Sequence, residues 1–325
     1  MKKAKILTTL LGLSITLSIS LSCVSSQVKN INSSQLKDVT GSLPKVYQNV
    51  GPISAGNPDA VIQIDTAMPI GPSNITVFET KTIDENYALK WAKHFNLDRS
   101  PVPLTGGARE VYSYQDDNAT LEVNLNGRFH WYQNITNHDP EALPSETECV
   151  PIAEKWLKDN GLYTEGTVKV RTGIHESVGV MEDGKPTVWK PVTVFVEFTT
   201  GLNGCEFYSG GAMVIIGDGS QVYEVTYNVP FMSKYGVANL KTPEAAFEML
   251  NKYLKDPTYD PPEAKECLVN WRGFQSLKIN RISLQYTMID GSNYLQPIYV
   301  FEGDVYESSN TNPENFVGRV DAVQR

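Results

Sequence analysis

Thr242-Pro243-Glu244-Ala245-Ala246-Phe247-Glu248-Met249-Leu250-Asn251-Lys252-Tyr253-Leu254 is a helix written together with its own start signal. Thr242 offers a side-chain oxygen to the first free amides, and Pro243 suits the first helical position, where no N–H is needed. Ala246, Phe247, Leu250, Tyr253 and Leu254 then recur at helical spacing and form one apolar stripe that must be buried. Pro257, Pro261 and Pro262 end it. The period then changes. Residues 279–286 alternate, Asp290-Gly291 supplies a turn, and Tyr294-Leu295-Gln296-Pro297-Ile298-Tyr299-Val300-Phe301 returns as a partner strand. Pro297 has no N–H to give to a ladder, so it is expected on an edge strand or at a bulge. Residues 316–323 close the sheet.

Two similar rounds stand upstream. Thr82 and Glu85 read as a capping box, and Ala88, Trp91, Ala92 and Phe95 form the buried stripe of the helix they start. Leu121-Glu122-Val123-Asn124-Leu125 alternates, Asn126-Gly127 turns, and residues 129–135 return. In the second round Pro144-Ser145-Glu146-Thr147-Glu148 is again a capping box, with Ile152, Ala153, Trp156 and Leu157 on one face and Gly161 at the stop. Pro151 is the awkward residue, unless that helix begins there. Strands are expected at 168–174, 193–198, 213–216 and 222–229, with turns at Asp183-Gly184 and Asp218-Gly219. Val61-Ile62-Gln63-Ile64-Asp65 and Ile75-Thr76-Val77-Phe78-Glu79 are short strands ahead of the first helix. The fold class expected is α+β, in tandem units that each pack a helix on an antiparallel β-meander, at 58–140, 141–240 and 241–325. Their spacing is unequal, which excludes a solenoid of fixed period.

The chain begins with Lys2, Lys3 and Lys5, followed by residues 6–21 without a charge. That run is rich in Ser and Thr and short of the roughly twenty apolar residues of a spanning helix, so residues 1–22 read as a cleaved export signal. Residues 23–57 are polar with scattered Gly, Pro, Ser and Asn, the composition of a flexible tether. Losing residues 1–22 removes three lysines and no acid, which takes the net charge from −9 to −12. An acidic body has no footprint for nucleic acid and is repelled by anionic headgroups, so membrane attachment has to come from a lipid.

No cofactor, metal site or catalytic residue can be nominated. Cys149, Cys205 and Cys267 are open to one disulfide plus a spare thiol, or to three buried reduced thiols. Cys149 stands near a helix start, but Glu146 and Glu148 oppose its ionisation. His94, His130, His138 and His175 form no zinc spacing, and Ser209-Gly210-Gly211 reads as a strand connection rather than a nucleophile elbow. Asp116-Asp117-Asn118 lacks the spacing of a calcium loop. Phe129 and Trp131 share one strand face by parity, as do Tyr223 and Tyr227, so each pair is a possible binding platform or the underside of a packed sheet.

Two resemblances rest on these residues. Ile19-Ser20-Leu21-Ser22-Cys23 resembles a bacterial lipoprotein signal, with Ser20 where that family usually has Leu. It implies lipidation of Cys23 and a place on the outer face of the cell membrane, or secretion if Cys23 stays free. The helix from Thr242 with the strand Leu295-Gln296-Pro297-Ile298-Tyr299-Val300-Phe301-Glu302 resembles the PepSY-like units of the bacterial YycH/YycI regulatory proteins, across about 141–325 and more weakly 60–140. Those regulators carry an N-terminal transmembrane helix where this chain has its lipoprotein-type signal. The resemblance implies a non-enzymatic extracytoplasmic protein that binds and modulates another envelope protein. A solute- or glycan-binding lipoprotein and an unrecognised hydrolase are the rival expectations.

Overall fold

Helix starts follow local chemistry. In the computed structural model α1 spans Glu85–His94, α2 Glu146–Asp159 and α3 Pro243–Lys255. The structure describes residues 36–45, 57–97, 102–103, 111–135, 139–163, 166–182, 185–256, 267–269, 273–288, 292–306 and 312–325. The export signal, Cys23, most of the tether, the prolines after α3, and the turns at 183–184 and 290–291 lie outside them. Thr242 caps α3 by accepting from the Ala245 N–H at 3.2 Å, and Ser145 and Glu148 form the capping box of α2. For α1 the cap is Asp84 rather than Thr82, because the Asp84 carboxylate accepts from the Tyr87 N–H at 2.9 Å while Ile83 still bonds to Leu125 in extended backbone. Pro151 sits inside α2, which begins at Glu146 rather than at the proline.

The strands are β1 Val61–Ile64, β2 Asn74–Thr80, β3 Val102–Pro103, β4 Val111–Gln115, β5 Ala119–Asn124, β6 Phe129–Gln133, β7 Thr167–Glu182, β8 Lys185–Leu202, β9 Cys205–Ile216, β10 Val222–Tyr227, β11 Met232–Asn239, β12 Cys267–Val269, β13 Ser276–Met288, β14 Tyr294–Tyr306 and β15 Glu314–Asp321. The expectation of tandem helix-on-meander units is overturned, because all fifteen belong to one mixed sheet. Its order runs β11-β2-β14-β13-β9-β10-β6-β5-β4-β3, with β15 and β12 beyond β14, β8 and β7 beyond β9, and β1 on β13. β1 lies parallel to β13, Val61 opposite Ser276, and β2 lies antiparallel to both β11 and β14. Strands read as part of a first unit therefore complete the sheet of the last. Such pairings join segments far apart in the chain, which no local pattern encodes.

Two cores lie under the helices. In the first, α1 and α2 cover β4, β5, β6, β8, β9 and β10, and their rings interleave: Phe95 stacks on Trp131 at 5.0 Å and on Trp156 at 6.1 Å, and Trp91 meets Phe129 at 4.9 Å. In the second, Ala246, Leu250, Tyr253 and Leu254 of α3 pack against Tyr299, Phe301, Phe316 and Val320. β9 belongs to both, since Phe207 is in the second core and Ala212, Val214 and Ile216 are in the first. Within the segment read as a tether, Val39 and Leu43 are buried with Val77, Ala238 and Val323, and the Val39 N–H donates to Val237 at 2.9 Å.

Pro297 corrects a second expectation. It is buried in β14, a strand paired on both sides, not at an edge. β14 pairs β2 through Tyr294 and Leu295 and pairs β15 from Ile298 onward. Pro297 stands at that changeover, where a missing N–H interrupts no ladder on that side.

Candidate functional site

The two halves of the sheet meet at β9, and the meeting is narrow. β9 pairs β13 in parallel through Glu206 and Phe207 only, and pairs β10 from Ala212 to Ile216. On its other side Gly201 of β8 faces Glu206 and Thr199 faces Gly211, so Thr200 alone stands against four residues of β9. The strand bulges there. Gly210 and Gly211 permit it: a Cβ on Gly210 would fall within the Phe207 ring, and one on Gly211, whose φ is +150°, would meet the Phe198 carbonyl. Ser209-Gly210-Gly211 thus lies inside a strand rather than in a connection.

Over this joint lies a groove on the helix-free face. Side chains alternate across a sheet, and the groove takes the positions the cores leave: Glu197 and Thr199 flank buried Phe198, Glu302 follows buried Phe301, and Arg319 precedes buried Val320. One lobe encloses about 400 Å³ above Val300 and Val317. A second, about 640 Å³, shares Glu206 and Arg281 with the first, is lined by Pro69, Ile70 and Pro72, and reaches Leu284 and Tyr299 on the α3 side of the sheet. Ile70 is fully exposed at its rim.

Charge in the first lobe is ordered. Arg171 Nε donates to Glu197 at 2.7 Å, and Arg281 reaches Glu302 at 2.7 Å and Glu206 at 3.2 Å. Arg319 has a different partner. Its guanidinium lies 4.2 Å from the centre of the Tyr208 ring and donates to the Tyr208 hydroxyl, with no carboxylate beside it among the described residues. An ion pair as exposed as Arg171 with Glu197 contributes only about 0–1 kcal/mol to stability. Gln285 is 3% exposed; its amide donates to Ser283 Oγ at 3.0 Å, and its Oε1 has no partner.

A smaller pocket on the same face holds Glu224, Tyr132, Thr193, His175 and Tyr223. His130 Nε2 lies 2.8 Å from the Glu224 carboxylate. This hydrogen bond, against the opposing effect of burial and helped by the nearby His130 and His175, holds Glu224 below the usual carboxylate range.

The residues weighed as platforms have other places. Phe129 and Trp131 are 1% and 8% exposed and pack beneath α1 and α2, so they offer no surface. Tyr227 stacks on Phe129 at 5.3 Å on the core side, and burial raises its hydroxyl pKa. Tyr223 does not share that face, because a β-bulge between Val222 and Glu224 resets the alternation and leaves it, largely buried, in the small pocket. The parity argument fails at the bulge. Cys149 is fully buried, and burial, then Glu148 and Glu146, push its thiol up to about 11; burial likewise raises Cys205. Neither is a thiolate near neutral pH. Among the described residues no three His, Cys, Asp or Glu side chains stand together as a metal site, and no helix is long and apolar enough to cross a membrane.

Sequence reading missed Arg171, Arg281, Arg319, Tyr208 and Gln285. The available signal was weak: charges at the outward positions of core strands, and a Gly-Gly pair within a strand, which marks a bulge or a close approach.

No family model matches the chain, and no curated protein matches it. Among solved structures, the Bacillus megaterium YpeB C-terminal domain aligns with 75% of this chain and 100% of its own length, at 14% identity and a TM-score of 0.34, a likeness too slight to carry an argument.

Proposed function

We propose that this is a non-enzymatic extracytoplasmic protein, held to the membrane by a lipid on Cys23, that binds another envelope protein through the groove over β9 and modulates it. One observation carries the reading: an open groove beside the joint at β9, lined by ordered Arg and Glu side chains. Mixed charge around a small apolar floor suits a protein surface, which presents both signs and apolar groups together. The leader and Cys23 supply the location.

A photo-crosslinking residue at Met213, in the groove, and at Glu248, on exposed α3, tests the reading in the envelope of producing cells. A discrete protein adduct from Met213 and none from Glu248 is expected. No adduct, or equal adducts from both, would overturn it.

The solute- or glycan-binding reading keeps one observation in its favour, the polar groups of Tyr208, Asn228 and Gln285 within the groove. No Trp lines either lobe, so tryptophan quenching is a poor reporter. A rise in melting temperature with a free sugar or small solute would support that alternative.

A further inference from the structure

We infer that the groove takes an extended segment of polypeptide with an acidic side chain held by Arg319. This rests on the reading of the groove as a protein-binding site and gives that site a chemical preference.

Two observations converge on it. First, the groove's charges are not equivalent. Glu197 is paired with Arg171, and Glu206 and Glu302 with Arg281, while Arg319 has only the ring and hydroxyl of Tyr208. An incoming cation would have to displace an arginine, whereas an incoming carboxylate finds a guanidinium held over a ring and a hydroxyl, with no carboxylate of the chain to displace. Second, Gln285 is almost wholly buried, lines the groove, and is satisfied at one end of its amide only. Turned either way, the amide leaves one polar atom without a partner. A polypeptide backbone offers both N–H and C=O at every residue and so answers either orientation.

The full chain is titrated with fluorescein-labelled dodecapeptides of repeating Glu-Ser-Leu-Ser, Lys-Ser-Leu-Ser and Gln-Ser-Leu-Ser, and with an oligogalacturonate of matching charge, read by anisotropy. The Glu peptide is expected to bind at least about tenfold more tightly than the Lys peptide, the scale of one charge-assisted pair. Arg319→Glu should reverse that order at an unchanged melting temperature, and Arg319→Lys should keep it. If Arg319→Glu melts early, Arg319→Gln serves instead, and the Glu and Gln peptides should then bind alike. An order unmoved by these substitutions, equal or absent binding of all three peptides, or tighter binding of the oligogalacturonate would each overturn the inference. A protein adduct from Met213 without this charge preference would sink the acidic-segment inference alone and leave the protein-binding role of the groove standing.

Discussion

Beneath α1 and α2 the core is a pile of rings, with Phe95, Trp131 and Trp156 stacked and Trp91 tilted onto Phe129. Its polar atoms are left over: the Trp131 Nε1 and the Tyr114 hydroxyl are buried without partners. Beneath α3 phenylalanines such as Phe301 and Phe316 pack with tyrosines whose hydroxyls tie distant segments together. Tyr286 donates to the Thr76 carbonyl at 2.6 Å across 210 residues of sequence and accepts from Asn203 at 3.2 Å, and Tyr299 donates to Lys241 at 2.9 Å. Burial raises the pKa of both hydroxyls, Tyr299 to about 12, so they remain donors. One half is held by packing between neighbouring elements, and the other adds to its packing hydrogen bonds that join distant segments. The groove lies where these two kinds of construction meet.

Substitutions can break that contrast. Trp131→Ala should cost about 3–5 kcal/mol, because it removes the ring that joins both helices to the sheet; urea unfolding measures it. Tyr286→Phe keeps the ring and should still cost about 1–3 kcal/mol, since the Thr76 carbonyl loses its donor. If it cost more than Trp131→Ala, the ordering of the two halves proposed here would be wrong.

Acid sharpens the comparison further. Glu224 is held below its usual range in the folded chain, so on acidification the unfolded chain takes up that proton first. The stabilisation is complete above the unfolded value and is lost as pH falls through the folded one. Glu224→Gln removes it. Wild type and variant should therefore differ most near neutral pH and converge on acidification, as urea midpoints at several pH values would reveal; a gap that widens with acid contradicts the pairing with His130. The smallest effect is expected at Tyr114→Phe, within about 0.5 kcal/mol of zero or slightly stabilising, because the hydroxyl removed has no partner. A loss as large as that of Tyr286→Phe would show that the first half uses its hydroxyls too.

The same contrast explains what could be read in the sequence. Helices announce themselves within one turn: Thr242 with Pro243 and Ser145 with Glu148 do in the structure what their spacing implies, and only α1 shifted its cap, to Asp84. The loop at Asn126-Gly127 was equally legible, with Gly127 at a φ of 84°. What escaped was everything that depends on distant partners. β1 beside β13, and β2 between β11 and β14, merge the supposed units into one sheet, yet nothing in Val61 or Ile75 names Ser276 or Ala238. Irregularities did the rest. The bulge before Glu224 separated Tyr223 from Tyr227, and the bulge of β9 at Gly210 and Gly211 opened the groove. Arg171, Arg281 and Arg319 come together only because β7, β13 and β15 present their outward positions to one space.

Amide hydrogen exchange of the full chain, with and without a saturating Glu-Ser-Leu-Ser dodecapeptide, tests the central claim that the joint at β9 is the binding surface. Slower exchange is expected in residues 205–211 and 314–321, with α1 and α2 unchanged. Protection confined to the helices, or absent from both β9 and β15, would contradict the account.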